Sequence, residues 1–428
     1  VHDVAVPIFY RNIKLVQQEL SEEGRNLQFF RAINLNPRLP SLIRTLDLSD
    51  FRISGLPWLI PRAMTLIPRL RSLHLQLSNL IHMDDQKLQT IFFGMLNLES
   101  LTIENTRTKT HGSTLAKILR NLESTNPTSV SRIRSLTCRT DSDSTHSGIP
   151  AENVEFVDSG ILARFLQRFP ELQALDLADT SVNPKSLLAI NTNSRLQYLR
   201  ITKCQDSDTA TLAYFLASHT AVNSSLAVLD SSGIMFNQEE TTSILENLPP
   251  TLRSLNLDSS MMTSNHVPLL QKLSRNLEEL KIGNGLTMNE VEAMVLGPCF
   301  KFHPASTRRS VDVARNPKDA PGQELVLGPM RDAVAVCTLR RRLASVSPIA
   351  AKIHMKKSRL RYLNLGSMGE EEQGRITNSV LLGEQSKPLE LIVVSGIESE
   401  DYRVLGKLSE GCGWKDKWFN GMVWVERG

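Results

Sequence analysis

The chain has 428 residues, 41% of them hydrophobic and 22% charged, with a formal net charge of +4. These values belong to a folded polypeptide and exclude wholesale disorder, and a charge so near balance gives no general affinity for nucleic acid. No apolar run approaches the ~18 residues of a membrane-spanning helix. The cysteines, Cys138, Cys204, Cys299, Cys337 and Cys412, lie far apart with no CxxC pair. That spacing suits neither a zinc site nor a disulfide framework, and it predicts reduced thiols in the cytoplasm or nucleus.

Taken in order, residues 1–38 read as a cap ahead of the main array. The opening VHDVAVPIFYRNIKL has neither an initiator Met nor the form of a signal peptide, and it reads as a cut or incomplete gene product. Its end is strand-like. NLQFFRAINLNPRL follows as a helix with Phe29, Phe30 and Ile33 facing inward. A segment apolar on one side can cover the open edge of a repeat.

Residues 39–296 then return to one figure: LIRTLDLSD, LRSLHLQLS, LESLTIENT, IRSLTCRTD, LQALDLADT, LQYLRITKC, LAVLDSSGI, LRSLNLDSS and LEELKIGNG. The equivalent leucines are Leu46, Leu73, Leu101, Leu136, Leu175, Leu199, Leu229, Leu255 and Leu280, with steps of 27, 28, 35, 39, 24, 30, 26 and 25 residues. Most steps are close to the leucine-rich-repeat period, in which each unit is one strand and one returning helix. The stretches between, such as DQKLQTIFFGML, SGILARFLQRF, DTATLAYFLASH, QEETTSILENL and HVPLLQKLSRNL, space their apolar residues as helices do. Asn237 with Glu240 and Thr287 with Glu290 stand at capping-box spacing. The prediction is an α/β leucine-rich-repeat horseshoe, a solenoid with parallel strands on its concave face and helices on its convex face.

The two long steps mark insertions, one of them the Ser/Thr/Asp-rich stretch after Cys138. A larger break covers residues 297–355, basic and without period, and is expected to be a disordered insertion or an error in the coding sequence. Residues 356–428 resume with LRYLNLGSM and a strand near Leu391. A terminal helix over SEDYRVLGKLSEGCGW and an aromatic cap carrying Trp414, Trp418 and Trp424 complete them.

Nothing in the chain asks to be an active site. The nine histidines are isolated, and no phosphate loop, dinucleotide fingerprint or nucleophile elbow occurs. No cofactor, metal or enzymatic activity is expected. The basic insertion lacks the interleaved aromatics that stack on bases, so nucleic acid is not an expected partner. What remains is the row between the paired leucines: Asp47, His74, Thr102, Thr137, Asp176, Arg200, Asp230, Asn256, Lys281 and Asn364. Strand alternation turns that row to the inner surface of the arc, where it would bind a protein. A plain scaffold or a regulator of GTPases by surface contact is the alternative.

Several of these residues carry a resemblance. The repeats, and a head in which Pro7, Tyr10, Arg11, Asn36, Pro37, Leu39, Ile43, Arg44, Leu46 and Leu48 match, resemble the repeat region and post-F-box joint of fungal F-box/leucine-rich-repeat proteins. The F-box itself is not among these 428 residues. The resemblance implies a ubiquitin-ligase substrate receptor whose repeats hold a protein substrate. The adaptor of a cullin–RING ligase would be a second partner only if an F-box lies upstream.

Overall fold

A computed structural model describes residues 10–15, 23–50, 60, 65–81, 83–105, 118–120, 122, 130–140, 159–178, 180, 182–202, 208–296, 359–366, 368, 376, 379–382, 389–395, 414–419 and 422–427. The second and third cysteines of the chain, the insertion 297–355, most of the Ser/Thr/Asp-rich loop and the stretch 396–413 lie outside them. So do Cys337, Cys412 and most of residues 111–124.

The repeating unit is an apolar triplet: a residue, then another three positions on, then a third two positions after that. Ile43–Leu46–Leu48, Leu172–Leu175–Leu177, Leu196–Leu199–Ile201 and Leu277–Leu280–Ile282 are all buried. The first residue packs at the entry to the strand, and alternation sends the next two to the same face. Burying such a set against its neighbours above and below is what stabilises each rung.

Twelve strands follow one another in chain order, all parallel: β1 (Asn12–Lys14), β2 (Thr45–Leu48), β3 (Ser72–Gln76), β4 (Ser100–Asn105), β5 (Ser135–Thr140), β6 (Ala174–Asp176), β7 (Tyr198–Arg200), β8 (Val228–Asp230), β9 (Ser254–Asn256), β10 (Glu279–Lys281), β11 (Tyr362–Asn364) and β12 (Leu391–Ser395). The register places the leucines side by side: Leu46 opposite Leu73, Leu175 opposite Leu199, Leu229 opposite Leu255, Leu280 opposite Leu363. One carbonyl per rung binds the next strand twice. Arg44 C=O accepts the N–H groups of Arg71 at 2.8 Å and Ser72 at 3.0 Å, and Gln197 C=O those of Ala227 and Val228 at 2.8 and 2.9 Å.

The returning segments supply the other layer. They are α1 (Glu23–Leu35), α2 (Leu39–Leu42), α3 (Leu77–Ile81), α4 (Asp85–Gln89), α5 (Ser159–Gln167), α6 (Thr209–Ser218), α7 (Thr220–Asn223), α8 (Gln238–Asn247), α9 (Val267–Ser274) and α10 (Met288–Leu296). The architecture is the α/β leucine-rich-repeat solenoid, with an unclosed sheet on its concave side. In α1, Phe30 and Ile33 are buried and Phe29 partly so. Asn237 Oδ1 accepts the Glu240 N–H at 2.9 Å while Glu240 accepts the Asn237 N–H at 2.9 Å, the reciprocal cap expected for α8. Thr287 N–H likewise donates to Glu290 at 2.7 Å.

The shortest step, 24 residues between Leu175 and Leu199, leaves less chain for the return. There the structure has only a 3-10 segment, Pro184–Ala189, started by Asn183 accepting the Lys185 N–H at 3.0 Å. The expected helix DQKLQTIFFGML breaks from α4 into a π-turn at Thr90–Gly94. Phe92 and Phe93 of that turn meet Phe165 and Phe169 edge-on or tilted, and the Arg168 guanidinium lies 3.4 Å over the Phe93 ring.

Two histidines join neighbouring returns. His266 is fully buried and accepts the Thr263 N–H on Nδ1 at 2.8 Å, so the proton sits on Nε2, which lies 3.2 Å from the Gln238 carbonyl. His219 accepts the Ala221 N–H at 3.3 Å at the start of α7. Burial lowers the His219 pKa from its ordinary value, against an opposite pull from the carbonyls of Ile190 and Leu188. The unfolded chain therefore takes up the proton first as pH falls. The stability that His219 contributes is whole above pH ~6.5 and is lost progressively below it. Thermal melts between about pH 7.5 and 5.5 should fall more steeply for the wild type than for His219→Asn, which keeps an acceptor for the cap. Equal slopes would clear His219 of the effect.

The tail departs from expectation. Trp414, expected to end a helix, begins β13 (Trp414–Phe419), which pairs antiparallel with β14 (Met422–Arg427), and β14 pairs antiparallel with β12. Trp414 is fully buried and its indole N–H donates to the Leu382 carbonyl at 2.9 Å.

Candidate binding surface on the concave sheet

The inner face is built from the side chains that alternate with the buried leucines. The ten residues named from the sequence stand in one line across the strands, because the register sets Asp47 opposite His74, Thr102 opposite Thr137, Asp176 opposite Arg200, Asp230 opposite Asn256, and Lys281 opposite Asn364.

Half of them also hold their own strand ends. Asp47 Oδ1 accepts the Ser49 N–H at 2.9 Å, Asp176 that of Ala178 at 3.1 Å, and Asp230 that of Ser232 at 3.2 Å. Asn256 does the same for Asp258 at 3.2 Å and Asn364 for Gly366 at 2.8 Å. A short oxygen-bearing side chain two residues before the turn replaces the backbone partner that the chain loses on leaving the sheet.

The charges are also paired sideways. Lys14 lies 2.8 Å from Asp50, and His74 bridges Asp47 at 3.3 Å and Glu104 at 3.1 Å, the latter contact off the line that a hydrogen bond needs. Arg139 Nε donates to Asp176 at 2.9 Å, Arg200 lies 3.1 Å from Asp230, and Asn256 donates to Asp230 at 2.9 Å. Lys281 donates to Asp258 at 2.7 Å. Asp176 is almost wholly buried, and its hydrogen bond raises the Arg139 pKa. Burial pushes the Asp258 carboxyl up, but Lys281 and the Gly233 N–H outweigh it, and the net shift is down.

Tyr198 stands at the centre of this mesh. Burial raises its pKa, the Asp176 carboxylate adds to the rise, and Arg200 and Arg139 oppose it. Beneath, burial pushes the Cys138 thiol up to about 12, with Asp176 contributing, so this buried cysteine is an inert core residue. Thr102 and Thr137 are half-buried with no hydroxyl partner among the described residues. At the far end the surface turns apolar: the Tyr362 ring lies 6.5 Å from Trp424, whose buried indole N–H has no hydrogen-bond partner among the described residues.

Sequence reasoning took the middle row and missed the rows on either side, including Tyr198, Tyr362, Glu104, Arg139 and Asp258. The signal was present, since residues two positions before and after any member of the row point the same way.

Among the described residues no group of three or more His, Cys, Asp and Glu could hold a metal ion, and no helix is long and apolar enough to cross a membrane. Fold and surface together define the class, a leucine-rich-repeat solenoid. No family model matches the chain, and no curated protein matches it. A solved structure, that of the leucine-rich repeat-containing protein LegL7 from Legionella pneumophila, is 18% identical and covers 66% of this chain and 86% of its own, with a TM-score of 0.38. The class assignment rests on the strand register rather than on that likeness.

Proposed function

We propose that the chain is a non-catalytic protein-binding repeat protein, acting in the cytoplasm or nucleus as the substrate-recognition arc of an F-box-like ubiquitin-ligase receptor. The observation that supports the binding role is the width of the concave surface: three rows of mostly polar side chains, varied along the array, presented side by side by one continuous sheet. Such a surface offers many contacts to one large partner. Its lateral ion pairs hold the side chains in place before contact, which lowers the ordering cost of binding. The ligase role is supported by the head residues Pro7, Tyr10, Arg11, Asn36 and Pro37 with the repeats behind them.

Affinity capture of the full gene product from its source cell tests both parts. A cullin and its adaptor are expected to co-purify with a protein substrate. Capture of the substrate without them would leave a plain binding scaffold. Tyr198→Ala is expected to weaken the captured substrate about tenfold, as removal of a central aromatic anchor does. An unchanged affinity would take the binding role away from the concave face.

A further inference from the structure

The residue two places before each central apolar residue carries the carbonyl that binds the next strand, so its side chain repeats along the rim where the strands begin. On the first three rungs that residue is Arg11, Arg44 and Arg71, each immediately before its strand, β1, β2 and β3, whose first residues are in register. Strand spacing sets them about 4.8 Å apart along the rim. A fourth, Arg69, is drawn in because Arg44 Nη1 donates to its carbonyl at 3.2 Å. Arg11, Arg69 and Arg71 are exposed and Arg44 is half-buried.

Farther along the same rim, Arg253 donates to the Asn276 carbonyl at 3.1 Å and two other arginines meet carboxylates. Arg134 donates to Glu171 at 3.0 Å, and Arg361 lies 3.0 Å from Glu390. At the start of the array, the described residues place only Glu99 against the four guanidinium groups, 3.7 Å from Arg71. The crowding is felt: burial lowers the Arg44 pKa, and Arg69, Arg71 and Arg11 lower it further. An incoming anion would relieve that repulsion, and guanidinium groups pair with carboxylates through two parallel hydrogen bonds.

We propose that Arg11, Arg44, Arg69 and Arg71 form a docking surface for a short acidic segment of a partner protein. The size of the patch favours this over a nucleic acid. Two or three carboxylates fit within it, whereas a continuous polyanion would run onto Asp47, Asp50 and Glu104 of the adjoining concave face and be repelled. The patch lies outside the concave rows, so its failure leaves the function proposed above untouched, and the reverse also holds.

The test uses the full chain, a short fluorescent Glu-rich peptide and, for comparison, oligothymidylate of matched charge, with binding followed by anisotropy. The peptide is expected to bind, and to bind more weakly as salt rises. Arg11→Gln with Arg71→Gln, both exposed and Arg71 with only the loose Glu99 contact to lose, is expected to weaken it about tenfold, the scale of two exposed ion pairs. Arg253→Gln, at the same place on a later rung, is expected to leave binding unchanged. Peptide affinity unaffected by the double substitution would overturn the proposal. So would oligothymidylate binding as tightly as the peptide and being lost with the same substitutions, which would make the rim a general polyanion surface.

Discussion

Gly283→Ala is expected to cost the protein about 3 kcal/mol or more, the scale of a backbone clash that side-chain rotation cannot relieve. Gly283 follows β10, where the chain leaves the sheet directly over the preceding repeat. A Cβ there would lie 2.2 Å from the Ser260 carbonyl oxygen, 2.7 Å from that of Leu257 and 2.9 Å from the Ser260 nitrogen. All three are backbone atoms, held by the bonds that stack the two turns: Leu257 N–H to the Lys281 carbonyl at 3.0 Å and Met262 N–H to the Asn284 carbonyl at 3.0 Å. An alanine must push those turns apart and stretch both. Urea titration followed by circular dichroism would read the loss. A midpoint equal to that of the wild type would mean the turns are not packed as described.

The second large effect is expected from Leu229→Ala. Leu229 is fully buried between Leu199 and Leu255 on the flanking strands. Removing three carbons there costs about 3–4 kcal/mol in transfer and cavity terms. The consequence in a repeat array is larger than the number. Each rung contacts mainly its neighbours, so a weak rung in the middle uncouples the two sides. The single transition expected of the wild type should broaden or split, and proteolysis should begin near β8. Leu188→Ala, at a residue 39% exposed, should shift the midpoint little. One sharp transition in Leu229→Ala, displaced no further than in Leu188→Ala, would contradict this account.

The strands were legible because a buried parallel rung tolerates few alternatives. A leucine at the central place can be read wherever it recurs, and each of these leucines pairs with its neighbour in the sheet. Where the returning chain is long enough, helices could be read as well, caps included. The tail was misjudged for a reason the sequence also contained. Asn420–Gly421 is the turn pair of a two-residue hairpin, but the apolar residues of WKDKWF and MVWVER on either side do not alternate strictly enough to declare two strands.

The surface was only partly legible. Its middle row followed from alternation. That Asp176 or Asn364 would spend an oxygen on its own backbone depends on the angle at which the chain leaves the strand, which composition does not carry. The rim arginines are visible in the sequence one by one, but their gathering into one patch follows only from the strand register.

The final hairpin gives the solenoid a direction. From β1 to β12 each strand offers the next an edge of the same polarity, and in principle a second molecule could add its β1 to an open β12 and begin a filament. β14 pairs with that edge antiparallel and β13 pairs antiparallel in turn, so β12 is covered and the run of parallel pairings ends there. The hairpin thus acts as a chain terminator for the parallel series, which translation alone would let run on, by occupying the β12 edge.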